Sequence, residues 1–197
     1  MRTPTAISLF SGCGGMDLGF VQAGFDVLWA NDINGFACKT YAHNIGDHII
    51  HGDITEIDYQ SIPTADIIIG GFPCQDFSML WKRGGVSTDR GNLYKNFVDL
   101  VAQKNPKVFV AENVKGILTA NKKQAIKQII EDFSDTGEIG YNTKAILVNF
   151  ANYGVSQLRE RVLIIGVRKD LDVEFVAPQV LNTSDNYVPS KVALQGV

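Results

Sequence analysis

Short apolar runs alternate with amphipathic stretches along most of the chain. The apolar runs have the length of strands and lie at 5–10, 25–30, 48–51, 66–70, 107–111, 145–149 and 162–167. Stretches with helical spacing of apolar residues follow several of them, at 16–23, 35–44, 93–103 and 122–133. Continuous apolar strands separated by helices are typical of a parallel sheet that is covered on both faces. The pattern therefore predicts an α/β fold with a doubly wound, mostly parallel sheet.

The periodic pattern continues to about residue 168 and then fades. This predicts one core domain over residues 1–168, followed by a tail or linker over residues 169–197. Inside the core, residues 78–92 form the only long stretch without clear periodicity. A loop of that length in a compact domain usually has a function.

Composition and charge narrow the classes of function. The chain has 197 residues and a formal net charge of −3, so it has no globally basic surface, and contact with nucleic acid would need a local patch or a partner. No apolar run approaches the ~20 residues that span a bilayer, so we expect neither a membrane span nor a cleaved signal. Three cysteines without C-x-x-C spacing favour a reducing compartment over a disulfide framework. The three histidines have no metal spacing, and we expect no metal site.

Ligands of doubly wound sheets bind at the carboxyl ends of the strands, where this sequence is rich in polar residues and glycines. The first apolar run leads into a glycine cluster at 11–15, and Asp32 ends the second run twenty positions after Gly12. That spacing lets an acidic side chain bind ribose hydroxyls while the glycine turn admits the cofactor. An adenosine-type cofactor is therefore predicted, and the G-x-G-G turn weakens an NAD interpretation. Asp53 follows the third run, either as a helix cap or as a partner for an adenine amino group.

Three further sites carry reactive or charged groups. Cys74 follows Pro73 just beyond the fourth run and is either a buried small hydrophobe or a nucleophile. A nucleophilic thiolate needs an electropositive setting, and the candidate cations are Lys82, Arg83, Arg90, Arg159 and Arg161. Glu112 ends the fifth run, either as a cap of the next turn or as a proton donor. Arg159 and Arg161 alternate in an extended segment, so they form either a solvated pair or a pair that turns to the active site.

The ordered series of motifs resembles the cytosine-5 DNA methyltransferase family over about 160 residues. The matching segments, in chain order, are Phe10-Ser-Gly-Cys-Gly-Gly15, Asn31-Asp32, Gly52-Asp-Ile54, Gly71-Phe-Pro-Cys-Gln75, Arg90-Gly-Asn-Leu93, Glu112-Asn-Val114 and Gln157-Leu-Arg-Glu-Arg161. The resemblance implies a Rossmann-like fold that uses S-adenosylmethionine.

The resemblance also implies a role for each matching residue. The residues expected around S-adenosylmethionine are Phe10, Gly12, Cys13, Gly14, Gly15, Asp32, Ile33, Asp53, Ile54, Pro73 and Leu93. The residues expected to act in catalysis are Cys74 as nucleophile, Glu112 as its carboxylate partner, Arg159 and Arg161. The residues expected to contact DNA are Gln75, Ser78, Lys82, Arg83 and Arg90.

The implied reaction begins with addition of the Cys74 thiolate to C6 of cytosine, which makes C5 nucleophilic enough to take the methyl group. Glu112 would protonate or hydrogen-bond N3, and Arg159 would hold the base. The base must first flip out of the duplex. The 78–92 loop, with its glycines and cations, would close over it.

The sequence departs from the family after the Gln157–Arg161 segment. Family members continue with a variable target-recognition region and two further motifs, which this sequence lacks, so it resembles the catalytic half of a two-part enzyme or a fragment of a longer one. The expected partners are double-stranded DNA with a flipped cytosine and a second polypeptide that carries target recognition. The alternatives are a non-catalytic cofactor-binding or DNA-associating subunit and an RNA cytosine-5 methyltransferase. A restriction-modification role is expected, in the cytoplasm of a bacterium or the nucleus of a eukaryote.

Overall fold

The computed structural model describes residues 2–73 and 93–195. The strands in this part of the chain are β1 (Thr5–Leu9), β2 (Asp26–Asp32), β3 (Ile49–His51), β4 (Ile67–Gly70), β5 (Val108–Val114), β6 (Tyr141–Asn149) and β7 (Glu160–Arg168). The α-helices are α1 (Gly15–Gln22), α2 (Gly35–Asn44), α3 (Leu93–Lys104), α4 (Gln124–Ser134) and α5 (Ser190–Ala193). Each apolar run and each helical stretch of the sequence corresponds to one of these elements, with ends that differ by a few residues.

All seven strands join one sheet in the order β3-β2-β1-β4-β5-β7-β6. Neighbours from β3 to β5 pair in parallel, and β7 runs antiparallel to both β5 and β6. The predicted α/β fold with a doubly wound, mostly parallel sheet is confirmed. The antiparallel β7 inserts between β5 and the edge strand β6, so the last strand lies one position from the edge of the sheet.

The insertion of β7 corrects two strand boundaries. Glu112 was expected at the end of a strand, but β5 continues past it to Val114 because its last residues pair with β7. Arg161 was expected before the last strand, but it lies inside β7, opposite Val114. The polar ends of β5 and β7 therefore hold each other in extended conformation through backbone hydrogen bonds.

One face of the sheet is closed by α3 and α4. Phe97 of α3 and Phe133 of α4 are fully buried against Phe109 of β5, and the rings of Phe109 and Phe133 stack with their centroids 4.3 Å apart. Each such ring contributes ~1.5–3 kcal/mol through removal of apolar area from water. This cluster is the main core of the molecule.

The other face is only partly closed by helices. Phe20 of α1 packs over a small cluster that includes Ala6 of β1, Val27 of β2 and Ile69 of β4. The part of this face formed by β5, β6 and β7 borders an open cleft, which the candidate site occupies.

Residues 172–189 contain neither helix nor strand. They nevertheless contact the core beside the turn between β6 and β7. The Leu181 N–H donates to the Asn152 carbonyl at 3.0 Å, and the Tyr187 hydroxyl donates to Asn152 Oδ1 at 2.7 Å. The division into a core over 1–168 and a tail over 169–197 stays a prediction.

Candidate active site

The glycine cluster forms a tight loop between β1 and α1. Phe10, Gly12 and Gly14 all have positive φ, of 54°, 56° and 85°. A Cβ on Gly14 would lie 2.7 Å from the Tyr41 ring, so this position needs glycine for both its conformation and its space. A Cβ on Gly12 would meet nothing within 4 Å, which leaves open space above the loop.

Asp32 holds this loop at the end of β2. Its Oδ2 accepts from the Gly12 N–H at 2.8 Å and its Oδ1 from the Asn34 N–H at 2.8 Å. The adjacent Ile33 side chain is 67% exposed. Asp32 thus lies where an acidic partner for a ribose was expected, while its ribose contact stays a prediction.

Asp53 acts as a helix cap in this structure. Its Oδ1 accepts from the Thr55 N–H at 3.0 Å and from the Thr55 hydroxyl at 2.8 Å, at the start of a short 3₁₀ turn over Ile54–Glu56. Ile54 is buried in the core and Leu93 packs against that core. An adenine contact for Asp53 stays a prediction alongside the cap.

Glu112 and Arg161 form an ion pair at the carboxyl end of β5. Arg161 Nε lies 2.7 Å from Glu112 Oε1, and the two side chains are only 20% and 22% exposed. The sequence placed both residues in the site but did not pair them. Arg159 is exposed, and it borders the same cleft as Glu112, as the alternation of side chains along an extended segment predicts.

The strand that leads to Cys74 is fixed beside Glu112. A Cβ on Gly71 would lie 3.1 Å from Glu112 Oε2, so glycine permits the close approach of the two segments. The Asn113 amide donates to the Phe72 carbonyl at 3.0 Å, and both residues are buried. Pro73, the last described residue of this segment, therefore directly follows a residue whose backbone carbonyl is held by Asn113.

Several predicted residues lie outside the described part of the chain. They are Cys74, Gln75, Ser78, Lys82, Arg83 and Arg90, together with the 78–92 loop. Their predicted roles as nucleophile, DNA contacts and closing loop stay predictions.

A single cleft of about 810 Å³ joins the glycine loop to the Glu112 end of the sheet. Phe10, Ser11 and Gly15 border it at one end, and Glu112 and Arg159 at the other. Its apolar wall comes from the open part of the sheet face and consists of Val110, Ile146, Val148, Leu163 and Ile165. A long cleft with charged groups at one end and a glycine loop at the other can hold a cofactor next to a second, planar ligand.

Sequence reasoning missed Asp17, which also borders this cleft and is fully buried. The sequence feature that could have revealed it is an acidic residue between Met16 and Phe20, two apolar residues of α1 that pack against the sheet. Among the residues that the structure describes, no group of three or more histidine, cysteine or acidic side chains is arranged to hold a metal ion, and no helix is long and apolar enough to cross a membrane.

Comparison with known proteins gives a consistent result. A family model described as C-5 cytosine-specific DNA methylase matches residues 5–195. Type II methyltransferase M.NgoFVII of Neisseria gonorrhoeae is 58% identical over 178 residues, which cover 89% of this chain and 47% of that protein. Type II methyltransferase M.FnuDI of Fusobacterium nucleatum is 40% identical, over 94% of this chain and 57% of that protein. The chain therefore spans about half the length of the curated relatives that it matches.

Solved structures of methyltransferases share the fold of this chain. The crystal structure of a putative DNA modification methyltransferase, encoded within a prophage of E. coli, matches 98% of this chain and 55% of that chain, with a TM-score of 0.78 and 30% identity. The Dnmt2 methyltransferase of S. pombe matches 90% of this chain and 53% of that chain, with a TM-score of 0.67 and 20% identity, which concerns the fold alone.

Proposed function

We propose that this chain, which belongs to the C-5 cytosine-specific DNA methylase family, transfers a methyl group from S-adenosylmethionine to C5 of a cytosine in DNA. The proposed transfer proceeds through a covalent bond between Cys74 and the base. The observation that carries the proposal is the position of Gly71, three residues before Cys74, against the Glu112 carboxylate. This close approach supports a Cys74 nucleophile and a Glu112 carboxyl group that act on the same base.

The glycine loop, which borders the cleft, and the strand end beside it suit the cofactor. The glycine loop leaves open space above Gly12, and Asp32 and the exposed Ile33 lie at the end of the neighbouring strand. We assign the cofactor to this end, held by the residues from Phe10 to Gly15 and by Asp32, Ile33 and Asp53. When bound, S-adenosylmethionine supplies an electrophilic methyl group on a sulfonium.

The protein's own groups would act on the base. The Cys74 thiolate forms a bond to C6, and the C5–C6 electron pair becomes available at C5, while the Glu112 carboxyl group, once it has taken up a proton, gives a proton or hydrogen bond to N3. Arg161 holds the Glu112 carboxyl group in place through the 2.7 Å ion pair, and Arg159 reaches the same cleft as a free cation among the described residues. After C5 is methylated, a base removes the C5 proton, the C6–S bond breaks, N3 gives back to Glu112 any proton that it took, and the thiolate is restored.

We further propose that activity needs a complementary part, on the same or on a second polypeptide. The chain spans about half of its curated relatives, and the sheet face at Val110, Ile146 and Leu163 borders an open apolar cleft instead of a helix of the described chain. A complementary part that covers this face would also supply target recognition. It would supply much of the affinity for DNA as well, since the chain itself has a net charge of −3. Because the two curated relatives named above are bacterial Type II methyltransferases, we propose that the enzyme acts in the cytoplasm as the methyltransferase of a restriction-modification system.

The test is covalent trapping with an oligonucleotide that contains 5-fluorocytosine, whose C5 fluorine blocks the final elimination. The chain is combined with the second half of M.NgoFVII and S-adenosylmethionine. We expect a denaturation-resistant adduct that disappears in Cys74→Ala and persists in Cys38→Ala, a matched cysteine that is buried on α2. An adduct that survives Cys74→Ala would refute the nucleophile. Transfer of tritiated methyl groups to RNA but not to DNA would favour the RNA alternative, and cofactor binding without any transfer would favour a non-catalytic subunit.

A further inference from the structure

A buried polar network lies under the glycine loop. The Asp17 carboxylate accepts from the Ser8 hydroxyl at 2.9 Å and from the Tyr41 hydroxyl at 2.8 Å, and all three residues are fully buried. The Ser11 hydroxyl lies 2.9 Å from Ser8 Oγ, and His48 Nε2 lies 2.9 Å from the Tyr41 hydroxyl. The network thus runs from the glycine loop through Asp17 to the edge of the sheet.

The arrangement suits an ionised carboxylate. Ser8 and Tyr41 each have one hydroxyl hydrogen and approach different oxygens of Asp17, as donors to an anion do. With those two hydrogens directed at Asp17, Ser11 donates to Ser8 and His48 donates to Tyr41, so every member of the network has a partner. The pKa of Asp17 is raised above its ordinary value, because burial outweighs the hydrogen bonds from Tyr41 and Ser8 and the nearby His48, which favour the charged form.

No cation neutralises this carboxylate at close range. Within residues 2–73 and 93–195, no lysine, arginine or histidine nitrogen forms an ion pair with Asp17. His48, the nearest titratable cation of the network, is separated from it by the Tyr41 hydroxyl. At the far end of the cleft, by contrast, Glu112 is already paired with Arg161, and Arg159 adds a positive charge. A buried anion with no paired cation raises the affinity of its surroundings for positive charge.

We propose that Asp17 gives the cofactor end of the cleft a fixed negative charge, so that the site prefers the sulfonium cofactor over its demethylated product. This rests on the proposed function, because it takes S-adenosylmethionine as the ligand. The cofactor carries one positive charge more than S-adenosylhomocysteine, whose sulfur is a neutral thioether. A carboxylate next to the cleft therefore stabilises the substrate form more than the product form, which promotes exchange of product for fresh cofactor. Asp17 is fully buried and acts through space, so it is not a catalytic residue.

The experiment measures the dissociation constants of three ligands by titration calorimetry. They are S-adenosylmethionine, S-adenosylhomocysteine, and sinefungin, which carries an ammonium group in place of the methylsulfonium. In Asp17→Asn we expect the ratio of the S-adenosylmethionine constant to the S-adenosylhomocysteine constant to rise about fivefold, equivalent to ~1 kcal/mol. The affinity for sinefungin should fall in parallel with the affinity for S-adenosylmethionine, since both ligands are cationic at that position.

Two sets of variants separate charge from packing. Asp17→Ser removes the charge with a different side chain and should shift the ratio in the same direction. If one of Asp17→Asn and Asp17→Ser does not fold, the other tests the proposal. Ser8→Ala and Tyr41→Phe each remove one hydrogen bond but keep the carboxylate, and they should leave the ratio within about twofold even where both affinities fall.

The outcomes are distinguishable. Equal weakening of all three ligands in Asp17→Asn and Asp17→Ser would make the residue merely structural and overturn this inference, while the cofactor assignment would stand. A wild-type protein that binds neither S-adenosylmethionine nor S-adenosylhomocysteine would overturn the proposed cofactor itself.

Discussion

Replacement of Asp66 by asparagine tests how the amino ends of the central strands are held together. Asp66 lies directly before β4, and its carboxylate accepts from the Thr5 N–H of β1 at 2.9 Å. Arg2 Nη2 lies 2.7 Å from Oδ1, and Lys107 Nζ, just before β5, lies 3.0 Å from the same atom. One carboxylate thus joins three neighbouring strands. Asparagine keeps an acceptor for Thr5 but loses the attraction to both cations.

The lowered pKa of Asp66 gives the size of the stability that the variant should lose. The hydrogen bond from the Thr5 backbone, the Lys107 ammonium and the Arg2 guanidinium lower this pKa from 3.8 to about 2. A lowering of that size corresponds to ~2.4 kcal/mol at full value. The Asp66 side chain is only 14% exposed, but those of Arg2 and Lys107 are 72% and 55% exposed, so solvent screening reduces the contribution to ~1–2 kcal/mol. Since the folded pKa lies below the unfolded one, this stability is complete well above pH 3.8 and is lost as the pH falls through about 2.

The assay is urea denaturation of wild type and Asp66→Asn at pH 7, followed by melting curves between pH 2 and pH 5. We expect the variant to be ~1–2 kcal/mol less stable at pH 7 and the difference to shrink toward pH 2. Glu174→Gln is the matched control, because it removes a carboxylate that is 77% exposed and paired with Lys144, and it should cost much less stability than Asp66→Asn. Equal losses in the two variants, or a difference for Asp66→Asn that is independent of pH, would refute the reasoning.

Three further predictions concern the site. Gly14→Ala should destabilise the protein by more than ~2 kcal/mol and weaken cofactor binding, because its φ is 85° and its Cβ would lie 2.7 Å from the Tyr41 ring; Gly19→Ala, in α1 with open space around it, should instead be neutral or stabilising by up to ~1 kcal/mol in the same denaturation assay. Glu112→Gln should lower the rate of methyl transfer by a factor of ~10²–10⁴ while calorimetry gives an unchanged cofactor affinity, and a comparable loss of affinity would contradict its assignment to the base. Arg161→Met should lower stability by ~1–3 kcal/mol, since it leaves the largely buried Glu112 carboxylate without its partner; a smaller loss than that of Glu174→Gln would show that the pair contributes little.

Much of the fold could be predicted from local sequence because its strands and helices have distinct periods. The apolar run that ends at Gly70 and the amphipathic stretch from Leu93 each became the expected element. The glycine loop was also readable, since a tight turn with positive φ at Gly12 and Gly14 favours glycine through local backbone conformation. These features depend on residues that are neighbours in the chain.

The tertiary structure alone decided which distant groups meet. The order of the sheet places β7 against β5, so Arg161 reaches Glu112 across forty-nine positions of sequence, and neither segment alone specifies that partner. The same packing buries Asp17 beneath the glycine loop and leaves part of one sheet face open to the cleft. Strand pairing and burial are properties of the assembled sheet, because the free energy of each contact depends on all the elements that close around it.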